Sequence, residues 1–177
     1  MKCKFYPVFI FILFVLVING CIDQEKRPDI ERYQEARWGM SKGEIRSLVK
    51  LPLTNEVNNT LMYSDVIEDD NVTRMYMFDN NERLFAVMIV FELPSENEEV
   101  FRSKFIKIYN RLAFKYSDAD KYIDEGLDKR GLSATWEFKK SGIFLQLIIK
   151  KPFNKLVLGL VYLNKEYAEK ILWGLAS

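Results

Sequence analysis

Apolar residues in the central part of the chain recur at helical spacing in some stretches and at strand spacing in others. The first helical stretch follows Ser41, which forms an S-x-x-E capping box with Glu44. An apolar stripe begins at Ile45, and Pro52 cannot continue the helix. The pattern therefore predicts a short first helix over residues 42–50.

Six shorter runs have the composition and the alternation of β-strands. The run at residues 84–91 is apolar on both faces, which is typical of a central strand. It is separated from the run at 72–78 by Asp79–Glu82, whose residue types favour a hairpin turn. The predicted strands cover residues 61–63, 72–78, 84–91, 133–138, 143–150 and 156–163.

Two further helices are predicted by the same signals. A second capping box, at Ser95 and Glu98, starts a helix that extends to about Lys115, and the polar residues 117–130 after it predict a loop. Asn164 caps a last helix. The apolar stripe of the second helix comprises Phe101, Phe105, Ile108, Tyr109, Leu112 and Tyr116. The predicted buried face of the last helix comprises Tyr167, Ala168, Ile171, Leu172 and Leu175.

The order of elements predicts an α+β fold. A helix followed by three strands occurs twice, in residues 37–94 and 95–177, and a C-terminal helix closes the second repeat. The short turns between strands join antiparallel neighbours only. We therefore expect two tandem α-βββ repeats that form antiparallel sheet, with the helices packed on one face.

The N-terminal stretch has the features of a secretory signal. A basic start precedes the apolar run from Phe5 to Ile18, which is shorter than the ~20 residues that span a bilayer. The sequence Ile18–Cys21 resembles a bacterial lipobox. The alternative, an uncleaved signal anchor that merely ends in cysteine, would normally have a longer apolar run. We predict a signal peptide over residues 1–20 and a charged, solvated tether over residues 21–36.

The lipobox resemblance implies a membrane anchor at Cys21. In that family the cysteine thiol receives a diacylglyceryl group, the chain is cut before the cysteine, and the new amino group is acylated. Several acyl chains hold a protein firmly on a membrane. In enteric bacteria, Asp directly after the cysteine retains such a protein in the inner membrane, and here Ile22 takes that position. The resemblance therefore predicts a cell-envelope protein, on the periplasmic face of the outer membrane if the source is Gram-negative.

Composition narrows the function classes. The chain has 26 basic and 25 acidic side chains, and the leader removes two lysines and no acid, so a nucleic-acid binder is not expected. The chain has no histidine, and Cys21 is the only cysteine after the leader, so neither a zinc site nor an intramolecular disulfide is predicted. Aromatic residues make up 14% of the chain, which is enough for a substantial core.

A family resemblance is carried by the start of the first helix. Trp38-Gly39-Met40-Ser41 before a short amphipathic helix, followed by Tyr63 and a strand pair around Phe78 and Leu84, resembles the SmpA/OmlA-type lipoproteins of outer-membrane assembly. The doubled pattern is also similar to β-lactamase inhibitory protein. This resemblance implies a binding or scaffolding module, although the assembly lipoproteins do not have two repeats.

Some residues match catalytic or metal-binding patterns, but each match is better explained by a structural role or by exposure to solvent. Gly39–Gly43 matches the G-x-S-x-G nucleophile elbow, but a charged segment precedes it and no histidine is present, so Ser41 is interpreted as a helix cap. The acidic residues at 68–71 and 118–128 lack the fixed spacing of a calcium loop and are interpreted as solvated. We predict no catalytic residue, no metal and no cofactor.

The remaining candidates are surface residues. A basic stripe lies beside the apolar one on the second helix, and two aromatic residues fall outside the apolar stripes of their helices. A solvated face is the alternative interpretation of the basic stripe. We expect a lipid-anchored module that binds an envelope protein; a carrier of an apolar ligand is the alternative. The predicted contact residues are Lys104, Lys107, Arg111, Lys115, Phe114 and Trp173.

Overall fold

The computed structural model describes residues 29–93, 97–126, 131–150 and 155–166. Within these ranges the chain forms ten strands and two helices. The helices are α1 (Lys42–Leu48) and α2 (Glu98–Tyr116). The strands are β1 (Arg32–Tyr33), β2 (Ala36–Arg37), β3 (Leu53–Val57), β4 (Thr60–Ile67), β5 (Asp70–Phe78), β6 (Leu84–Phe91), β7 (Lys121–Asp124), β8 (Leu132–Glu137), β9 (Ser141–Lys150) and β10 (Lys155–Asn164).

Eight strands form one antiparallel sheet. Their order is β3-β4-β5-β6-β10-β9-β8-β7, while β1 and β2 pair separately as a two-stranded hairpin. Strand β6, the last strand after α1, pairs with β10, the last strand after α2, at the centre of the sheet. The paired residues run from Leu158 opposite Phe91 to Leu163 opposite Ala86. The two halves of the chain therefore share a single sheet.

The predicted fold class is wrong, because the protein is mostly β and does not consist of two α-βββ repeats. Four strands follow each helix, and the prediction omitted β3 and β7. Both lie at the edges of the sheet, and their side chains are mostly exposed. Edge strands with polar and charged residues lack the apolar alternation by which strands are recognised. For this reason, the predicted loop over 117–130 contains β7.

Several local predictions are confirmed. Ser41 caps α1 with a complete capping box, in which its side chain accepts from the Glu44 amide and the Glu44 carboxylate accepts from the Ser41 amide. Strand β6 is central and buried on both faces. Asp79 closes the turn before it by accepting hydrogen bonds from the amides of Asn81 and Arg83.

The start of α2 differs from its prediction. Its N-cap is Asn97, whose side chain accepts from the Glu99 amide, so the helix begins at Glu98. Ser95 lies outside the described residues, as do Cys21, the signal peptide and the predicted last helix beyond residue 166. Asn164, its predicted cap, is the last residue of β10.

The core has one part on each face of the sheet. The larger part includes Ile45 of α1, Phe105 of α2 and Trp136 of β8, so both helices pack on the same face. The smaller part consists of residues from β5, β6 and β10, with Phe144 of β9 packed against it. The described helices contribute nothing to this second part.

The hairpin of β1 and β2 lies on the helix-bearing face. Ile30, Tyr33 and Ala36 are buried in the larger core, so the segment predicted as tether packs from residue 29 onwards. The Ile30 amide donates to Ser141 Oγ at 3.0 Å, and the Tyr33 ring contacts that of Tyr162, 5.0 Å between centroids. Two tyrosine rings and a few apolar side chains therefore order a segment whose overall composition is charged.

Candidate functional site

A cleft opens on the helix-bearing face, beside the hairpin. It has a volume of about 600 Å³ and lies between the β1–β2 turn, the C-terminal end of α1 and the strands β4 and β5. Small-molecule and cofactor sites commonly have volumes of this order. Its lining includes Tyr33, Gln34, Leu48, Asp65, Arg74 and Tyr76.

Arg74 is the charged residue in the lining that is most deeply buried, with 6% of its surface exposed. Its Nη1 donates to Gln34 Oε1 at 2.8 Å and to the Tyr76 hydroxyl at 3.5 Å, and its Nη2 pairs with the Asp65 carboxylate. The guanidinium lies over the Tyr33 ring, 5.3 Å from its centroid. Four side chains from three elements therefore hold one cation in place.

Two buried polar atoms at this position have no partner within the described chain. One is Nε of Arg74 and the other is the hydroxyl of Tyr63. These two residues are direct neighbours across the β4–β5 ladder. A buried donor without an acceptor costs about 1–3 kcal/mol, so such atoms are rare and call for an explanation.

Two titratable groups of the cleft, Tyr33 and Arg74, are each kept in one protonation state. Burial raises the pKa of Tyr33 to about 12, so its phenol stays protonated at neutral pH. Burial by itself would lower the pKa of Arg74, but the hydrogen bond with Tyr76 and the nearby Tyr33, Tyr76 and Asp65 raise it overall. The guanidinium therefore stays charged. These groups can bind and orient a ligand, but they are poorly suited to exchange protons near pH 7.

The predicted basic stripe is paired with acids of the same chain. Lys107 and Arg111 contact the Glu68 carboxylate at 3.1 and 2.7 Å. Lys104 pairs with Asp70, next to the same β4–β5 turn. The structure thus joins α2 to that turn and neutralises much of the stripe. The fourth member, Lys115, lies over the Tyr116 ring, 4.9 Å from its centroid.

Of the two aromatic residues predicted to contact a partner, the structure describes only Phe114. Phe114 on α2 has 95% of its surface exposed, as its position outside the apolar stripe predicted. Trp173 lies outside the described residues, as does the predicted lipidation site Cys21. The basic stripe and Phe114 share α2, whereas the cleft is lined by other elements.

Sequence reasoning missed the cleft, although one of its residues gave a signal. Arg74 alternates with Val72 and Tyr76, so it occupies a position on the face that the pattern assigns to the core. A charged residue at such a position is rarely buried unless it is paired. Its partners could not be identified this way, because Gln34 and Asp65 are ordinary polar residues in the sequence.

The described residues were also searched for a membrane-spanning helix and for a metal site. Neither helix in the described ranges is long and apolar enough to cross a membrane. Among the same residues, no group of three or more acidic, histidine or cysteine side chains could hold a metal ion.

In comparisons with known proteins, no family model, no curated protein and no solved structure matches this chain.

Proposed function

We propose that this chain is a lipid-anchored bacterial envelope protein that binds a partner and performs no catalysis. The anchor is supported by the lipobox-like sequence that ends at Cys21. The binding role is supported above all by the cleft, where Arg74 is buried with its Nε unpaired in the described chain. The resemblance to the SmpA/OmlA-type lipoproteins agrees with this role.

The anchored domain stays close to the bilayer in this proposal. Since Asp29 already bonds the Lys140 amide, only the residues between Cys21 and Asp29 remain as a spacer. At ~3.3–3.6 Å per residue, they extend at most about 30 Å. The partner is therefore a protein of the envelope that exposes its contact region near the membrane. If the source has two membranes and the sorting rule of enteric bacteria, we expect the chain, with Ile22 after the cysteine, on the periplasmic face of the outer membrane.

Phe114 supplies a second contact surface in this proposal, with the solvent-facing parts of Lys107 and Arg111 beside it. An exposed aromatic side chain with cationic neighbours suits an interface anchor. The pairing of both cations with Glu68 weakens this surface relative to the cleft.

A carrier of an apolar ligand is the second candidate. The apolar side chains of Leu48, Val49, Leu51 and Ile67 line part of the cleft and favour it. The two candidates differ in what remains bound to the purified chain. A small molecule in fixed ratio to the protein would favour the carrier.

The anchor is tested by metabolic labelling with a fatty-acid probe. The Cys21→Ala variant should lose the label, because the thiol that accepts the diacylglyceryl group is gone. Cys3→Ala is the matched control: it removes the other cysteine of the sequence, which leaves with the leader, and should label like the parent. Equal labelling of Cys21→Ala and the parent would refute the anchor.

A further inference from the structure

Four methionines lie side by side on the sheet face opposite the helices. Met62 of β4 is paired with Met75 of β5, and Met75 is paired in turn with Met88 of β6. Residues directly opposite each other in an antiparallel ladder share a face of the sheet. Met77, two positions after Met75, lies on this face as well. Met62, Met75 and Met88 therefore form a line across three neighbouring strands, which we call the methionine row.

Packing in the smaller part of the core explains only some of these side chains. Met77 and Met88 are buried members of that cluster, and the partly buried Met75 packs against it. Met62 is partly buried too, yet it belongs to neither part of the core in the described ranges. Only 6 of the 177 residues are methionine, and Met40 is the one described methionine on the other face. The face is therefore enriched in one residue type and is not merely apolar.

The spacing of the methionine row suits a shared ligand. Directly opposite residues have Cβ atoms about 4.5–5.5 Å apart, so Met62 and Met88 are roughly 10 Å apart with Met75 between them. A methionine side chain is unbranched and has three rotatable bonds, so its sulfur can lean toward a neighbour while the backbone stays in place. The two outer sulfur atoms can thus turn toward the middle one and surround a single point above β5.

The chemistry of the row selects the kind of ligand. Thioether sulfur is a soft donor that selects Cu(I), whereas carboxylates and carbonyls suit Mg²⁺ and Ca²⁺. Because thioethers supply no negative charge, a monovalent ion costs less to bind among them than a divalent one. The pairing continues the row to Asn55 on one side and to Val161 on the other, and neither side chain is charged.

We propose that the methionine row is a binding site for a soft monovalent metal ion, Cu(I), with Met62, Met75 and Met88 as its ligands. Met75 is the central ligand, and the partly buried Met62 gives the ion access from the side of β4. This site goes beyond the proposed function and is independent of the lipid anchor at Cys21. It is also separate from the cleft, which lies on the helix-bearing face.

Methyl NMR of the methionines tests the site, with Ag(I) as a redox-inert substitute for Cu(I). The full-length chain is purified in detergent with isotopically labelled methionine methyl groups, and it carries Cys3→Ser and Cys21→Ser because free thiols also bind soft metals. The methyl signals of the three ligands should shift and saturate at one Ag(I) per chain, while the signal of Met40 stays in place. If the row signals do not move, or move only together with Met40, the row merely packs and the proposal is overturned.

Competition with the chelator bicinchoninate, without oxygen, measures the affinity for Cu(I) in the same cysteine-free chain. Met75→Leu removes the central sulfur at nearly constant volume, so the fold should persist while the affinity falls at least about tenfold, the lower end of what losing even a supporting residue costs a metal site. Met77→Leu is the matched control: it makes the same change on the same strand and face, outside the row, and should bind Cu(I) like the parent. Urea unfolding followed by circular dichroism verifies that both variants fold. Equal affinities of Met75→Leu and the parent, or an equal loss in both variants, would refute the assigned ligands.

Discussion

Arg74 occupies a strand position that apolar packing alone would give to a hydrophobic residue. Val72 and Tyr76, its neighbours on the same face, are buried in the larger core. Desolvating a guanidinium is costly, and the Asp65 carboxylate and the Tyr33 ring offset part of that cost. Such a pair is often no more stabilising than apolar residues of similar volume. Its presence at the floor of a cleft is therefore better explained by binding than by stability.

Replacing Arg74 by Met should destabilise the fold strongly. The variant leaves the Asp65 carboxylate largely buried without its cation, which costs about 3 kcal/mol or more. Urea unfolding followed by circular dichroism measures the loss. Arg83→Met is the matched control, because Arg83 is exposed, and it should change stability by less than about 0.5 kcal/mol.

The double variant Arg74→Met with Asp65→Leu separates stability from binding. Since it removes both charges, it should recover most of the lost stability. If it is as unstable as Arg74→Met alone, the ion pair is not what makes the single substitution costly. A stable double variant is also the reagent needed to test the cleft.

At the scale of elements, the sequence predicted best the segments that are buried along one or both faces. Strand β6 matches its predicted range, and α2 was expected from its stripe of buried aromatic and aliphatic residues. The edge strands β3 and β7 were missed because both are mostly exposed and carry polar or charged residues such as Asn, Glu and Lys. In the sequence, such a composition resembles that of a loop. The hairpin at residues 32–37 was missed for a different reason: its order comes from contacts with Ser141 and Tyr162, far away in the sequence.

The β4–β5 turn is held against α2 by charge. Glu68 has a positive φ of 51° and reaches Lys107 and Arg111 on the helix. The Lys107 hydrogen bond is the largest contribution that lowers the Glu68 pKa below its ordinary value of 4.5, with further contributions from the positive charges of Arg111 and Lys104. Exposed pairs of this kind contribute little each, but three cations converge on the same turn.

This contact should be sensitive to acid. Because the Glu68 pKa is lower in the folded state than in the unfolded state, its contribution to stability is complete above pH 4.5 and is lost as the pH falls through the lower folded value. Glu68→Gln should therefore flatten the pH dependence of the urea midpoint below pH 4.5. Glu31→Gln, at an exposed position, should retain the pH dependence of the parent. Identical slopes for Glu68→Gln and the parent would contradict the assignment.

At the scale of the whole molecule, the pairing of β6 with β10 decides the architecture. Both strands were predicted, but their pairing joins residues more than sixty positions apart, and local periodicity carries no information on it. The candidate site is non-local in the same way. Its residues come from the hairpin, α1, β4 and β5, so the sequence revealed the buried Arg74 position but not the cleft around it.

The two faces of the sheet differ in what they carry. The helix-bearing face carries the cleft, and the opposite face carries the smaller part of the core. In the proposed function, lipid on Cys21 would keep the domain within about 30 Å of the membrane, given ~3.3–3.6 Å per residue of spacer. The central claim is that the cleft, in this setting, binds an envelope partner.

Site-specific photocrosslinking in intact cells tests that claim most directly. Glu35 is exposed in the β1–β2 turn and lines the cleft, so p-benzoylphenylalanine at this position faces a bound partner without disturbing the core. A discrete protein adduct is expected at Glu35, and it should be lost in the chain that also carries Arg74→Met and Asp65→Leu. The same probe at Phe114 examines the rival surface on α2. Adducts at Phe114 alone, or none at Glu35, would contradict a binding role for the cleft.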